Sequence, residues 1–164
     1  MYKIAVLTIS DRCSRKERDD LSGKIIIDMI EGIQGEIIQY DIIPDELELI
    51  IEKLRFYCDD IRADFVFTTG GTGFGLRDVT PEATGQVIEK SIPGIPELMR
   101  LEGLKKTRNA MLSRGISGIR KNSIIINLPG SPKGVRESLE AILDIIPHAY
   151  DMVKGANHDK EIEQ

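Results

Sequence analysis

The chain has 164 residues, 41% hydrophobic and 30% charged, a composition that suits one domain with a full buried core and excludes a disordered or fibrous protein. Its net charge of −5 argues against nucleic acid as the main partner, so any anion site has to be built locally, from cations such as Arg77, Arg114, Arg120, Lys121 and Lys133. Cys13 and Cys58 belong to no Cys-x-x-Cys unit, His148 and His158 do not cluster, and no apolar run approaches membrane-spanning length, which excludes disulfide, zinc and membrane roles as expectations.

Met1-Tyr2-Lys3 leads straight into an apolar run without a signal-peptide pattern, so a cytoplasmic protein is expected. Residues 3–9 read as a strand covered on both faces, followed by a helix over 21–30 and a second buried strand over 36–43. A helix over 46–58 carries Leu47, Ile50, Ile51, Leu54 and Tyr57 or Cys58 on one face, with Asp45 before it and Glu48 placed as in a capping box. Residues 63–67 form the third strand, and a helix over 82–90 is separated by Pro93 and Pro96 from another over 95–104. The stretch 108–121, around Gly115 and Gly118, has no clear assignment. Residues 123–128 form a strand interrupted by Asn127, and the last helix, from Lys133, carries a stripe from Val135 to Val153 with a kink expected at Pro147. This alternation predicts an α/β fold, a three-layer α/β/α arrangement around a mainly parallel sheet, as one domain over 1–154. A polar, disordered tail is expected over 155–164.

Two turns stand out. Thr68-Thr69-Gly70-Gly71-Thr72-Gly73 follows the third strand, and its glycines leave backbone N–H groups open to a phosphate, a gap that a side chain would fill. Thr80 and Pro81 then offer an N-cap and a first helical residue, which turns the positive end of the next helix towards the same place. Arg77 is expected to pair with phosphate oxygens, while Asp78, a carboxylate beside a polyanion, calls for a cation such as Mg²⁺ between them. No Gly-Lys-Ser/Thr end is present, so this is not a P-loop, and Leu76 and Asp78 stand where a dinucleotide fingerprint would need its third glycine. The second turn, Pro129-Gly130-Ser131-Pro132-Lys133-Gly134, repeats the punctuation with Ser131 as cap and Lys133 as cation. Either turn alone is equally an ordinary tight connection. Together, at the same edge of a parallel sheet, they are expected to face one crevice. Asp78 is expected to have no structural duty, whereas Asp45 reads locally as a cap, Ser113 and Arg114 as ordinary strand-end residues, and Asn127 as a side chain that needs a buried partner.

These motifs, Thr68 to Ala83, Met111-Leu112-Ser113-Arg114 and Ile126 to Pro132, together with Ser10-Asp11-Arg12 and Pro44-Asp45-Glu46, resemble the molybdopterin-binding family of molybdenum cofactor biosynthesis over nearly the whole chain. Within it the resemblance is closest to the adenylyltransferases. It implies a reaction of ATP with molybdopterin, assisted by Mg²⁺, that yields adenylylated molybdopterin and pyrophosphate before a separate protein inserts molybdate, and it implies a homotrimer. By the same analogy Asp45 and Asp78 are the essential carboxylates, to which we assign Mg²⁺. Ser10, Asp11, Thr69, Gly70, Gly71, Thr72, Gly73, Arg77, Thr80, Glu82, Ser113, Arg114, Asn127, Pro129, Gly130, Ser131 and Lys133 are the implied substrate- and nucleotide-binding set. The competing readings are a relative that holds molybdopterin without adenylylating it, and a same-fold hydrolase of nucleotide-like molecules.

Overall fold

The computed structural model describes residues 1–155. Four parallel strands make up most of its sheet: β1 (Tyr2–Ile9) lies between β2 (Gly35–Ile43) and β3 (Phe65–Thr69), and β3 pairs in turn with β6 (Ser123–Leu128). Two short antiparallel strands, β5 (Ser117–Arg120) and β4 (Lys90–Ser91), extend the order to β2-β1-β3-β6-β5-β4. The sheet is therefore mainly parallel, as the alternation of elements predicts.

Side chains alternate across it, and each face carries its own core. Ile4, Val6, Phe65, Phe67, Ile124 and Ile126 pack against α2 (Leu21–Glu31), α5 (Gly94–Leu104) and α6 (Pro132–Ile142). Ala5, Leu7, Ile9, Val66 and Ile125 pack against α3 (Leu47–Arg55) and α4 (Thr80–Val87) on the opposite face. The result is three layers, α/β/α.

Several boundaries differ from expectation, each for a tertiary reason. The third strand starts at Phe65 rather than 63, because Asp64 closes its lower end by accepting the Lys3 N–H at 2.9 Å. The helix after Asp45 ends at Arg55 and passes into a wider π turn, Phe56–Asp60, which lets Tyr57 and Cys58 both be buried. The unassigned stretch holds a 3₁₀ turn, Arg108–Leu112, and then β5, whose Ser-Gly-Ile-Arg sequence has no strand pattern of its own and is fixed by pairing with β6. In place of one kinked terminal helix there are two. α6 ends at Ile142, a 3₁₀ turn follows, and α7 (Ile146–Lys154) begins with Pro147 in its first turn, where a missing N–H costs nothing. The expected polar tail, from 156 onward and with it His158, lies outside the described residues. No helix among the described residues is long and apolar enough to cross a membrane.

Candidate active site

The two turns singled out from sequence adjoin because β3 and β6 pair in register, Thr69 opposite Leu128. The Thr69 hydroxyl donates to the Pro129 carbonyl at 2.7 Å and ties them together. Gly70 and Gly71 have φ of +97° and +69°, and a Cβ would lie 2.1 Å from the Ile9 carbonyl oxygen at the first and 2.2 Å from Thr80 Oγ1 at the second. Both glycines are thus demanded by the chain path itself, before any ligand is considered.

Thr80 does not cap α4. Its hydroxyl donates to the Gly70 carbonyl at 2.8 Å and its N–H to the Gly71 carbonyl at 3.1 Å, while the cap position falls to Val79 without a side-chain bond. In contrast, Ser131 caps α6 as expected, accepting the Gly134 N–H at 3.0 Å, and Pro132 takes the first turn. Ser10 Oγ accepts the Cys13 N–H at 3.2 Å and caps the short helix α1 (Asp11–Ser14).

Asp45, expected from local sequence to cap a helix, instead exchanges backbone hydrogen bonds with Asp11. The Asp11 N–H donates to Asp45 Oδ2 at 2.9 Å, and the Asp45 N–H donates to Asp11 Oδ1 at 3.0 Å. Arg77, expected to bind phosphate, forks onto Asp11, with Nε to Oδ2 at 2.6 Å and Nη2 to Oδ1 at 2.9 Å. That guanidinium lowers the Asp11 pKa to about 2, whereas burial pushes the Asp45 carboxyl above its usual range, aided by the negative charges of Asp11 and Asp78. Asp78 has a structural duty after all, since its Oδ2 accepts the Gly75 N–H at 2.8 Å and closes the loop tip. Both carboxylates line the crevice, and Oδ1 of each accepts no hydrogen bond among the described residues.

Arg114, too, is committed internally. Nε donates to the Gly73 carbonyl and Nη2 to the Asp78 carbonyl, both at 2.8 Å, Nη1 pairs with Glu82, and its backbone N–H reaches the Thr72 carbonyl at 3.1 Å. It holds the glycine-rich loop in shape, and it lowers the Glu82 pKa. Ser113 and Arg114 sit between the 3₁₀ turn and β5, not at a strand end. Arg120 and Lys121 leave the anion site altogether: both pair with Asp59, at 2.7 and 3.2 Å.

The single crevice expected from sequence is two adjoining cavities. One, of about 620 Å³, is lined by Ser10, Asp45, Thr69, Gly70, Gly71, Asp78, Gly130 and Ser131, and also by Arg18, Asp19, Asp20 and Ser22. The other, of about 240 Å³, lies between α5 and α6 and holds Arg100, Ser113, Asn127, Pro129, Lys133 and Glu137. Ser131 touches both, so the 129–131 turn is their common wall. Lys133 opens on the smaller cavity, 3.8 Å from Glu137.

Asn127 is the hub beneath that wall. Its amide donates to the hydroxyls of Thr68 and Thr84, each at 3.0 Å, and accepts the Ile116 N–H at 3.2 Å. Asn127→Leu keeps the volume but orphans these groups, and should cost about 1–3 kcal/mol per unsatisfied buried group. The thermal midpoint is expected to fall by several degrees; an unchanged midpoint would show that these bonds carry no net stability.

Sequence reading gives no site role to Arg18, Asp20 or Ser22. Asp20 accepts the Thr8 hydroxyl at 2.6 Å, the Tyr40 hydroxyl and the Gly23 N–H at 2.9 Å, and so anchors the start of α2 at the crevice. Ser22 donates to the Gly130 carbonyl at 2.8 Å. An aspartate three residues before a helical glycine is the cap signal that could have revealed it.

The donor set suits a hard cation. No group of three or more His, Cys, Asp or Glu side chains is placed to hold a metal ion by itself among the described residues, but Mg²⁺ is commonly held by one or two carboxylates together with substrate phosphates, and Asp45 and Asp78 present free oxygens of that kind.

Known proteins resemble this chain in sequence and in fold. A family model described as "Probable molybdopterin binding domain" matches residues 5–148. The molybdopterin adenylyltransferase of Helicobacter pylori strain J99 is 47% identical over 154 residues, which cover 93% of this chain and 88% of that protein. Among solved structures, the molybdopterin biosynthesis enzyme MoaB of Thermus thermophilus superposes with a TM-score of 0.90 at 46% identity, covering 94% of this chain and 98% of that one. The tungsten cofactor synthesizing protein MoaB of Pyrococcus furiosus reaches 0.86 at 31% identity, with 94% and 98% covered. With a match that runs from β1 into α7 and a sheet that brings both signature turns to one edge, the chain belongs to the molybdopterin-binding domain family of molybdenum cofactor biosynthesis.

Proposed function

We propose that this chain is a molybdopterin adenylyltransferase, which moves the adenylyl group of ATP onto the terminal phosphate of molybdopterin and releases pyrophosphate. The observation that carries the reading is the pair of cavities divided by one turn, with two partly free carboxylates facing the larger. A reaction between two anionic substrates needs two neighbouring anion-tolerant pockets, held so that nucleophile and electrophile meet in line.

In this reading an oxygen of the molybdopterin phosphate forms a bond to the α-phosphorus of ATP. The bond from that phosphorus to the α,β-bridging oxygen breaks, and its electron pair leaves with pyrophosphate. A phosphate monoester is already ionised at pH 7, so neither Asp45 nor Asp78 has to act as a base. Both hold charge and geometry: Asp11 fixes the Asp45 backbone, and Gly75 and Arg114 fix Asp78. Bound Mg²⁺ would supply neutralisation of the phosphate charge between these carboxylates. The backbone of 70–73 and of 129–131 then serves as the two cradles, with Ser10, Ser113 and Lys133 at their rims.

The wider reading is one domain over 1–154, acting in the cytoplasm as a homotrimer and handing its product to a separate molybdate-insertion protein. Light scattering tests the trimer. The activity is tested by incubating the chain with molybdopterin, ATP and Mg²⁺. Release of pyrophosphate that depends on molybdopterin is expected, and tight pterin binding without any release would instead assign a scaffolding role.

A further inference from the structure

Four carboxylate residues, Asp19, Asp20, Asp45 and Asp78, line the larger cavity. A triphosphate would enter there against strong repulsion unless cations meet it. The two arginines nearest the glycine-rich loop cannot do so without giving up what they hold: Arg77 is forked onto Asp11, and Arg114 is spent on Glu82 and two loop carbonyls. Arg15 is paired with Glu17 at 2.9 Å. Arg18 is different. It is exposed, it is the one Arg or Lys side chain among the described residues that lines this cavity, and no carboxylate among the described residues pairs with it. It lines the same cavity as Gly70 and Gly71 and precedes Asp20, which anchors the start of α2.

We propose that Arg18 is the residue that grips the pyrophosphate end of the nucleotide, binding the β- and γ-phosphates of ATP and stabilising the departing pyrophosphate. The assignment rests on the adenylyltransferase reading for its reaction, but its ligand chemistry, a diphosphate in the larger cavity, can be tested without any turnover. A planar fork of N–H donors suits two neighbouring phosphate oxygens, and an ammonium does not reproduce it. Charge on the leaving group rises as the α,β bond breaks, so the grip should strengthen along the reaction and appear in kcat more than in KM.

The test compares Arg18→Ala, Arg18→Lys and, as a charge control outside the cavity, Lys24→Ala. Binding of inorganic pyrophosphate in the presence of Mg²⁺ is measured by calorimetry, and molybdopterin-dependent pyrophosphate release by steady-state kinetics. Arg18→Ala should weaken pyrophosphate binding by about tenfold or more, Arg18→Lys should restore part of it, and Lys24→Ala should leave it within about twofold. In turnover, Arg18→Ala should lower kcat more than it raises the KM for ATP. Equal pyrophosphate affinity in wild type and a folded Arg18→Ala protein would overturn the proposal while leaving the enzymatic reading intact. A wild type that binds pyrophosphate through Arg18 but never adenylylates molybdopterin would do the reverse. If wild type binds no pyrophosphate, the Arg18 proposal falls, and turnover by itself decides the enzymatic reading.

Discussion

Asp78→Asn is expected to cut turnover by about a thousandfold while the protein stays folded. Two unit charges 4 Å apart interact by about 4 kcal/mol at an effective dielectric constant of 20, which corresponds to roughly a factor of 10³ in rate if the interaction matures in the transition state. Asparagine keeps an oxygen to accept the Gly75 N–H, so the loop tip closed by Asp78 survives the change. What is lost is the charge that would hold a cation against the triphosphate. Molybdopterin should still bind, and no more weakly than to wild type, because a carboxylate facing its phosphate has been removed. If Asp78 served only to close the loop, the same substitution would spare turnover per folded molecule and would show itself, at most, in the thermal midpoint. Turnover, molybdopterin affinity and midpoint measured on one preparation separate these views. Near-normal turnover in a stable Asp78→Asn protein would remove the metal-assisted mechanism.

Gly71→Val should damage the fold before it touches ligand binding. The residue has a left-handed φ, which costs a non-glycine residue about 1–2 kcal/mol, and a Cβ there would collide with the Thr80 hydroxyl at 2.2 Å. Moving Thr80 aside breaks its bond to the Gly70 carbonyl, a further loss of about 1 kcal/mol, and overpacking adds about 1–3 kcal/mol. For a domain of this size each kcal/mol lowers the midpoint by about 2–4 °C, so a drop on the order of 10 °C is expected. From sequence alone, a side chain at this glycine is expected only to occupy phosphate space in an otherwise sound protein. A variant that melts with the wild type and loses only nucleotide affinity would favour that simpler view over the steric one.

The difference between these two substitutions reflects how the site is made. Apolar runs, helix caps and glycine turns depend on residues within a few positions of one another, so β1, β6, α2 and the Ser131 cap were legible directly, as were the two turns that meet at the sheet edge. The extent of β2 was legible too, although β2 is a half-buried edge strand and not the strand covered on both faces that its apolar run suggests. Even there the pattern failed where no local signal exists. β5 is a strand because β6 offers it an edge, and Tyr57 and Cys58 share one face because the helix widens beneath them.

Partners were a different matter. Asp45 offered a plausible local cap with Glu48, yet its carboxylate is engaged by Asp11, 34 residues away in sequence. Arg77 looked available for phosphate, yet Asp11, 66 residues distant, takes both of its donor arms. Arg114 reaches back 41 residues to the Gly73 carbonyl, and Asn127 joins β6 to Thr68 and Thr84. Such pairings are set by sheet register and by which turns that register brings together, quantities that no window along the chain contains. The two carboxylates and the two turns that we propose for the site, in a chain of net negative charge, were legible in the sequence. Which cations remain free to serve it, and that the crevice is split into two cavities by the 129–131 turn, was decided by the tertiary structure, because a charged side chain binds whichever opposite charge the fold brings within reach.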